Sequence, residues 1–209
     1  MAERLRVVAE LLAAGGVDLL GEQAEVVRVA RELVEQRLGA LHLAGQRERI
    51  REAILEQGWS EKRQAYAQSF GADELDAAAL LMPLVGFLPA TDPRMRATID
   101  AIARELTDDA LVLRYRNVEG LNADGLTGEE GTFVLCSFWL VSCLAQAGEI
   151  ERAEALYDQL AGYANDLGLL GEEIDTANGE QLGNFPQAYS HIGLITAAYE
   201  IDRAKETTA

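Results

Sequence analysis

The sequence has few cysteines, few histidines, little positive charge and no long apolar run. Among 209 residues there are 2 Cys and 2 His, and 18 Lys and Arg stand against 35 Asp and Glu, which gives a net charge of −17. Nucleic acids and anionic membrane surfaces bind cationic patches, so neither partner is expected. No apolar stretch reaches the roughly 18 residues that a membrane span requires. Neutral substrates, including sugars, remain compatible with this charge.

The two cysteines, Cys136 and Cys143, lie seven residues apart in an apolar run. On a helix this spacing puts both on one face, with Cα atoms about 10 Å apart, too far for a disulfide. We interpret them as buried thiols in a reducing compartment. Because no signal peptide is visible, we expect a cytoplasmic protein. Two distant histidines without a Cys-x-x-Cys pair predict no metal site.

Most of the sequence shows helical periodicity. Thr91-Asp92-Pro93 is the strongest start signal, a capping residue followed by proline at the first helical position. Asp73 is expected to cap a helix that Pro83 kinks, and residues 59–70 suggest a short β-hairpin. The pattern predicts an all-α fold of helical hairpins, with at most that hairpin as strand. The predicted helices are 3–14, 22–42, 47–57, 74–87, 93–106, 132–147, 149–160 and 186–204.

Two long connections, 107–131 and 167–185, interrupt the helices and are rich in Gly, Asp and Glu. Helix–helix connections usually have about 2–8 residues, and longer ordered loops are usually functional. The alternation predicts inner and outer helix layers, with both loops at one end. Paired carboxylates there would suit glycoside hydrolysis, while acidic loops that merely solvate a helical domain are the competing interpretation. His191, within an apolar stretch, is interpreted as structural.

Several segments together resemble the carboxy-terminal half of the catalytic domain of glycoside hydrolase family 15, which includes glucoamylases and bacterial trehalases. The resemblance runs in order from Trp59 to about Asp202. Its segments are Gly58-Trp59-Ser60-Glu61-Lys62-Arg63, Gln68-Ser69-Phe70-Gly71, Leu81-Met82-Pro83-Leu84-Val85-Gly86-Phe87-Leu88-Pro89, Arg114-Tyr115-Arg116, Glu129-Glu130-Gly131-Thr132-Phe133, Cys136-Ser137-Phe138-Trp139, Gly168-Leu169-Leu170-Gly171-Glu172-Glu173-Ile174-Asp175 and Gly183-Asn184-Phe185-Pro186-Gln187-Ala188-Tyr189-Ser190-His191.

The resemblance implies a partial (α/α)6 toroid and an inverting α-glycosidase that uses two carboxylates and no cofactor. By the resemblance, Glu172 is the general base that deprotonates the attacking water, with Glu173 as the fallback. It also implies a small carbohydrate substrate, either trehalose or an α-glucan. The implied substrate-binding residues are Arg114, Glu130, Asn184 and Gln187.

The sequence departs from the family at the general acid, which the family carries in a Trp-Glu pair. Here Trp59 precedes Ser60 and Trp139 precedes Leu140. We expect residues 1–45 to be a divergent helical segment and 46–209 to be the carboxy-terminal part of the barrel, in one structural domain overall. An incomplete barrel would need a homo-oligomer or the missing half to cover its open face. The alternatives are a non-catalytic sugar-binding or interaction module, or a non-functional truncated product.

Overall fold

The computed structural model describes residues 37, 39, 43–116 and 132–208. The chain divides into two compact units, Met1–Ala53 and Ile54–Ala209. In the first unit, residues 43–53 are helical and mostly exposed, and residues 37 and 39 are also helical. The predicted helix at 3–14, most of that at 22–42, and Glu130 lie outside the described residues. The boundary predicted after residue 45 and the single-domain organisation stay predictions.

The described part of the chain is mostly helical, as the sequence predicts. Six α-helices and three small antiparallel sheets follow one another. Their bounds are α1 43–57, β1 Trp59–Ser60, β2 Ala65–Tyr66, a 3-10 helix Ala77–Leu80, α2 Leu81–Leu84, α3 Pro93–Glu105, β3 Thr107–Asp108, β4 Leu111–Val112, β5 Thr132–Phe133, α4 Val134–Gln146, α5 Ile150–Ala161, β6 Glu173–Ile174, β7 Gln181–Leu182 and α6 Ala188–Thr208.

The β1–β2 hairpin confirms the extended excursion predicted at residues 59–70. The expectation of at most one hairpin is wrong, because β3 and β4 form a second hairpin and β5–β6–β7 form a three-stranded sheet. Each strand has only two residues, too few for an apolar alternation to be visible in the sequence. The pairing of Thr132 with Ile174 is also far from local. Strands β3 and β4 lie in the first long connection, and β6 and β7 lie in the second. Strand β5 directly follows the first connection.

Helix α3 forms as its capping sequence predicts. Asp92 has an extended backbone, and its carboxylate accepts hydrogen bonds from the amides of Arg94 (2.9 Å) and Met95 (3.3 Å). Pro93 occupies the first turn, where its missing N–H costs nothing. The apolar residues predicted on one face are all buried at 2% exposure or less: Met95, Ile99, Ile102 and Leu106.

The helix predicted at 74–87 forms only over residues 77–84, and its predicted start and cap are wrong. The backbone of Glu74 accepts a hydrogen bond from Gln68, and Asp76 pairs with Tyr115 in an isolated β-bridge. These tertiary bonds hold the segment extended, so helix begins only at Ala77, capped by Asp76 rather than by Asp73. Two elements of four residues each then follow, and the chain turns away soon after Pro83.

Helix α4 is the centre of the core and packs against α5, α6, the 3-10 helix and β4. Its residues are buried on nearly all sides, which explains why it is the most apolar predicted helix. Cys136 and Cys143 are buried free thiols, as predicted. The Cys143 thiol donates to the carbonyl of Leu80 (3.2 Å), and burial raises its pKa. No helix in the described ranges is long and apolar enough to cross a membrane.

Candidate active site

Glu172 lies directly before strand β6, where the second long connection reaches the start of α4. Strand β6 pairs with β5 on one side and with β7 on the other. The first amide of α4, that of Val134, donates to the carbonyl of Glu172 (3.1 Å), and the amide of Glu172 donates to the carbonyl of Asn184 (3.0 Å). The backbone of Glu172 is therefore fixed from both sides, by the core helix and by the strand that leads to Asn184.

The carboxylate of Glu172 is held by the same asparagine. Its Oε2 accepts from the backbone amide of Asn184 (3.0 Å) and from the side-chain Nδ2 of Asn184 (2.8 Å). Hydrogen bonds to an ionised acceptor are stronger than neutral ones. Among the described residues, no hydrogen bond or ion pair reaches the other oxygen, Oε1. One carboxylate oxygen is thus anchored, and the other has no partner among the described residues.

Gly183 makes this arrangement sterically feasible. Its φ of +70° lies in the left-handed region that favours glycine. A Cβ at this position would stand 2.8 Å from Oε2 of Glu172 and 3.0 Å from its Cβ. A side chain here would therefore displace the carboxylate from the Asn184 amide.

The start of α6 ties down the segment that carries Glu172. The amide of Gln187 donates to the carbonyl of Leu170 (2.9 Å), and the hydroxyl of Ser190 donates to the carbonyl of Gly171 (2.7 Å). His191 joins the two segments, since its Nε2 accepts from the Leu170 amide (3.4 Å) and its Nδ1 lies 2.7 Å from the carbonyl of Gln187. Both bonds form together when the ring proton is on Nδ1. This arrangement agrees with the interpretation of His191 as structural.

Glu173 is the neighbour of Glu172 and pairs with Phe133 and Leu182 inside the sheet. It is half-buried, like Glu172. Glu172 lies in the bend just outside the strand, whereas Glu173 is held within the sheet by both pairings.

The other candidate residues are not all brought to this point. Gln187 is on the same turn as Asn184, and its Oε1 accepts from the amide of Tyr189 (3.3 Å) at the start of α6. Arg114 is exposed after β4, with its guanidinium carbon 5.7 Å from the ring centroid of Tyr115. No described hydrogen bond or ion pair joins Arg114 to Glu172, and Glu130 is outside the described residues. The substrate-binding roles stay predictions.

Sequence reasoning missed the mutual contact of Glu172 and Asn184 and the need for Gly183. The visible signal was the turn sequence Gly-Asn-Phe-Pro-Gln placed soon after a pair of glutamates. The Phe185–Pro186 peptide bond in this turn is cis. In the described ranges, no group of three or more His, Cys, Asp or Glu side chains could hold a metal ion.

A row of large apolar side chains on α6 is exposed next to this turn. Tyr189, Ile192, Ile195 and Tyr199 are 65%, 55%, 67% and 62% exposed, and we call them the α6 apolar face. Their spacing of three or four residues puts them along one side of the helix. On its other side, α6 packs against α4 and α5. Contiguous exposed apolar patches usually mark interaction surfaces.

Comparison with known sequences gives the chain close relatives among trehalases. It is 53% identical over 159 residues to the trehalase of Mycolicibacterium smegmatis, 51% identical over 157 residues to that of Mycobacterium tuberculosis, and 38% identical over 156 residues to that of Thermoplasma volcanium. These alignments cover 76%, 75% and 74% of this chain but 23%, 23% and 24% of the relatives. The chain thus spans about a quarter of the length of the curated relatives it matches.

Comparison with solved structures gives the same fold. A structure titled "Glycosidase Wild Type" superposes with a TM-score of 0.62 at 24% identity, over 79% of this chain and 44% of that one. The sequence profile of the glycosyl hydrolases family 15 matches residues 9–199, a longer stretch than the resemblance seen from Trp59 onward. With nearly the whole sequence matched, the chain belongs to glycosyl hydrolases family 15.

Proposed function

We propose that this chain carries the base-bearing part of an inverting α-glycosidase and acts on α-glucosidic bonds such as that of trehalose. The observation that carries the proposal is the Glu172 carboxylate, anchored at Oε2 and without a described partner at Oε1. The proposed role fits family membership and the trehalase relatives. Between trehalose and an α-glucan, the identity to trehalases favours trehalose.

In the proposed mechanism, Oε1 of Glu172 takes a proton from a water molecule. That water attacks the anomeric carbon from the face opposite to the leaving group, which inverts the configuration. The leaving oxygen needs a proton from a second carboxylic acid, which inverting enzymes hold about 6.5–9.5 Å from the base to admit the water. Neither tryptophan of this chain is followed by glutamate, so we propose that the acid comes from outside the chain.

We further propose that the α6 apolar face packs against the part of a family 15 domain that this chain does not contain. Four large apolar side chains are exposed on α6, and the chain spans 44% of the solved glycosidase. A homo-oligomer is the other occupant, and its signature would be a concentration-dependent mass. The two buried free thiols favour a cytoplasmic, reducing location.

The test is a chimera in which the 159 matching residues of this chain replace their counterparts in the M. smegmatis trehalase. We expect the chimera to release glucose from trehalose, with the new reducing end in the β configuration by NMR. Glu172→Gln should lower kcat by about 10²- to 10⁴-fold, the usual contribution of a general base. Glu173→Gln is the matched control and should retain most of the activity.

A folded chimera that is inactive, or that is insensitive to Glu172→Gln, would contradict the proposed function. Loss of activity in Glu173→Gln alone would transfer the base role to that residue. The isolated chain is assayed beside the chimera with trehalose and maltose. Hydrolysis by the isolated chain would mean that it supplies its own general acid. That result would refute the proposal that the general acid comes from outside the chain.

A further inference from the structure

We propose that Asn184 is a positioning residue for Glu172 rather than a sugar contact, and that Gly183 is the steric condition for its action. The inference rests on the proposed function of Glu172 as general base. Its structural basis is the set of three hydrogen bonds between the two residues, two through backbone amides and one through Nδ2 of Asn184. We call this set the Glu172–Asn184 clamp.

A general base must hold one oxygen within about 2.6–3.2 Å of the proton it removes. A half-exposed glutamate has several freely rotating bonds, and fixing such a side chain costs up to about 2 kcal/mol of conformational entropy. The clamp fixes Oε2 before any substrate binds. Within the described residues, Oε1 keeps no hydrogen-bond partner of its own.

The donors of these hydrogen bonds favour a positioning role for Asn184 over a sugar-binding role. Both donors on Oε2 are uncharged amides, and no cationic side chain is paired with Glu172 in the described ranges. The side-chain amide of Asn184 makes its one described hydrogen bond to this carboxylate. An asparagine that served mainly to bind sugar would have to divide its donors between the sugar and Glu172.

Gly183 contributes because a Cβ there would stand 2.8 Å from Oε2, too close for the carboxylate to keep its position. Gly179 provides an internal comparison in the same connection. It also has a positive φ, +75°, but a Cβ on Gly179 would meet nothing within 4 Å. Alanine at either position is strained by its backbone conformation, and only alanine at Gly183 would also displace the Glu172 carboxylate.

The clamp is tested first by NMR on the full chain, independently of activity. In Glu172→Gln the backbone and side-chain amide signals of Asn184 should shift, because the charged acceptor is lost. In the control Glu180→Gln they should stay in place. Gly183→Ala should move the side-chain amide signal of Asn184, which unlike its backbone amide is not directly bonded to residue 183, and Gly179→Ala should not. Asn184 signals that ignore both Glu172→Gln and Gly183→Ala would refute the clamp.

The role in catalysis is tested in the trehalase chimera. Asn184→Ala should lower kcat about 10- to 100-fold, the scale of a misplaced reacting group, with KM changed less than about twofold. Asn184→Asp keeps the shape but removes the donor, so it should lose at least as much. Asn178→Ala is the matched control, because Asn178 lies in the same connection and its side chain has one described hydrogen bond, accepted from the Glu180 amide (2.7 Å).

A double variant separates positioning from sugar binding. Adding Asn184→Ala to Glu172→Gln should cause no further loss of kcat, because residues that act as a unit are non-additive. A raised KM with unchanged kcat, or a full additional loss in the double variant, would make Asn184 a sugar contact and overturn the inference. If the chimera lacks Glu172-dependent activity, the proposed function fails, whereas the NMR result still decides whether the clamp exists.

Discussion

At the scale of single residues, the carboxylates of Glu172 and Asp73 both accept hydrogen bonds from uncharged groups. The Glu172 carboxylate is held by amides of Asn184, and the Asp73 carboxylate accepts a 2.6 Å bond from the hydroxyl of Ser60. Salt bridges in the described ranges join mostly exposed side chains, including the one from Lys62 to the same Asp73 (3.2 Å). Exposed ion pairs are worth little in water. The directional bonds from neutral groups therefore fix the conformation, and the surface charges contribute mainly to solubility.

Ser60→Ala is expected to raise the pKa of Asp73 toward its ordinary value of 3.8. The Ser60 hydroxyl is the largest cause that lowers the pKa of this carboxyl, followed by Lys62. Because the folded-state pKa is lowered, the stabilisation is present above the unfolded pKa and is lost as pH falls through the folded pKa. The measurement is an NMR titration of the Asp73 carboxyl, with Lys62→Met as a second variant that should also raise this pKa. An unchanged pKa in Ser60→Ala would show that the bond does not form in solution.

At the scale of elements, local capping decides which helices could be predicted from sequence. Helix α3 has its cap, its proline and its apolar face within one short segment, so its start and its buried side were both predictable. The segment 74–87 has helix-forming composition, yet a hydrogen bond from the Gln68 amide to Glu74 and the β-bridge between Asp76 and Tyr115 hold its first residues extended. Both partners lie outside the segment, so its composition alone does not reveal them.

Asp92→Ala should lower the free energy of unfolding by about 0.5–2 kcal/mol, the usual cost of removing an N-cap. The loss has a specific cause, because the Asp92 carboxylate satisfies the amides of Arg94 and Met95. Asp92→Ser keeps a capping oxygen and should stay within a few tenths of a kcal/mol of the parent chain. Denaturant unfolding of the three proteins measures the difference. Equal stability of the alanine and serine variants would mean that the cap does not stabilise α3.

The candidate site shows the same limit on sequence reasoning. Glu172 and Asn184 were both singled out from sequence, by resemblance to the family. Their contact was not, because it depends on the pairing of β6 with β7 and on the left-handed backbone of Gly183. Strands of two residues leave no periodic signal. The sequence therefore indicated which residues to inspect, and the backbone pairing determined which of them touch.

At the scale of the whole molecule, helix α6 has two different environments. Its inner residues Ala197 and Ile201 are 0% and 6% exposed, while the α6 apolar face is more than half exposed. A chain of net charge −17 resists self-association by repulsion. This repulsion opposes burial of the α6 apolar face against a second, equally acidic copy. The proposed occupant is therefore a complementary part of the family fold.

Two isoleucines on α6 provide a matched test of the difference between its buried side and its exposed side. Ile201 is 6% exposed and Ile195 is 67% exposed. Ile201→Ala should lower the free energy of unfolding by about 2–5 kcal/mol, since it leaves a cavity in the core. Ile195→Ala should change it by less than about 0.5 kcal/mol in the isolated chain, as at other surface sites. Denaturant unfolding at several protein concentrations measures both. If Ile195→Ala is as costly as Ile201→Ala, and the parent midpoint rises with concentration, a second copy covers the face. That result would replace the proposed complementary partner with a homo-oligomer.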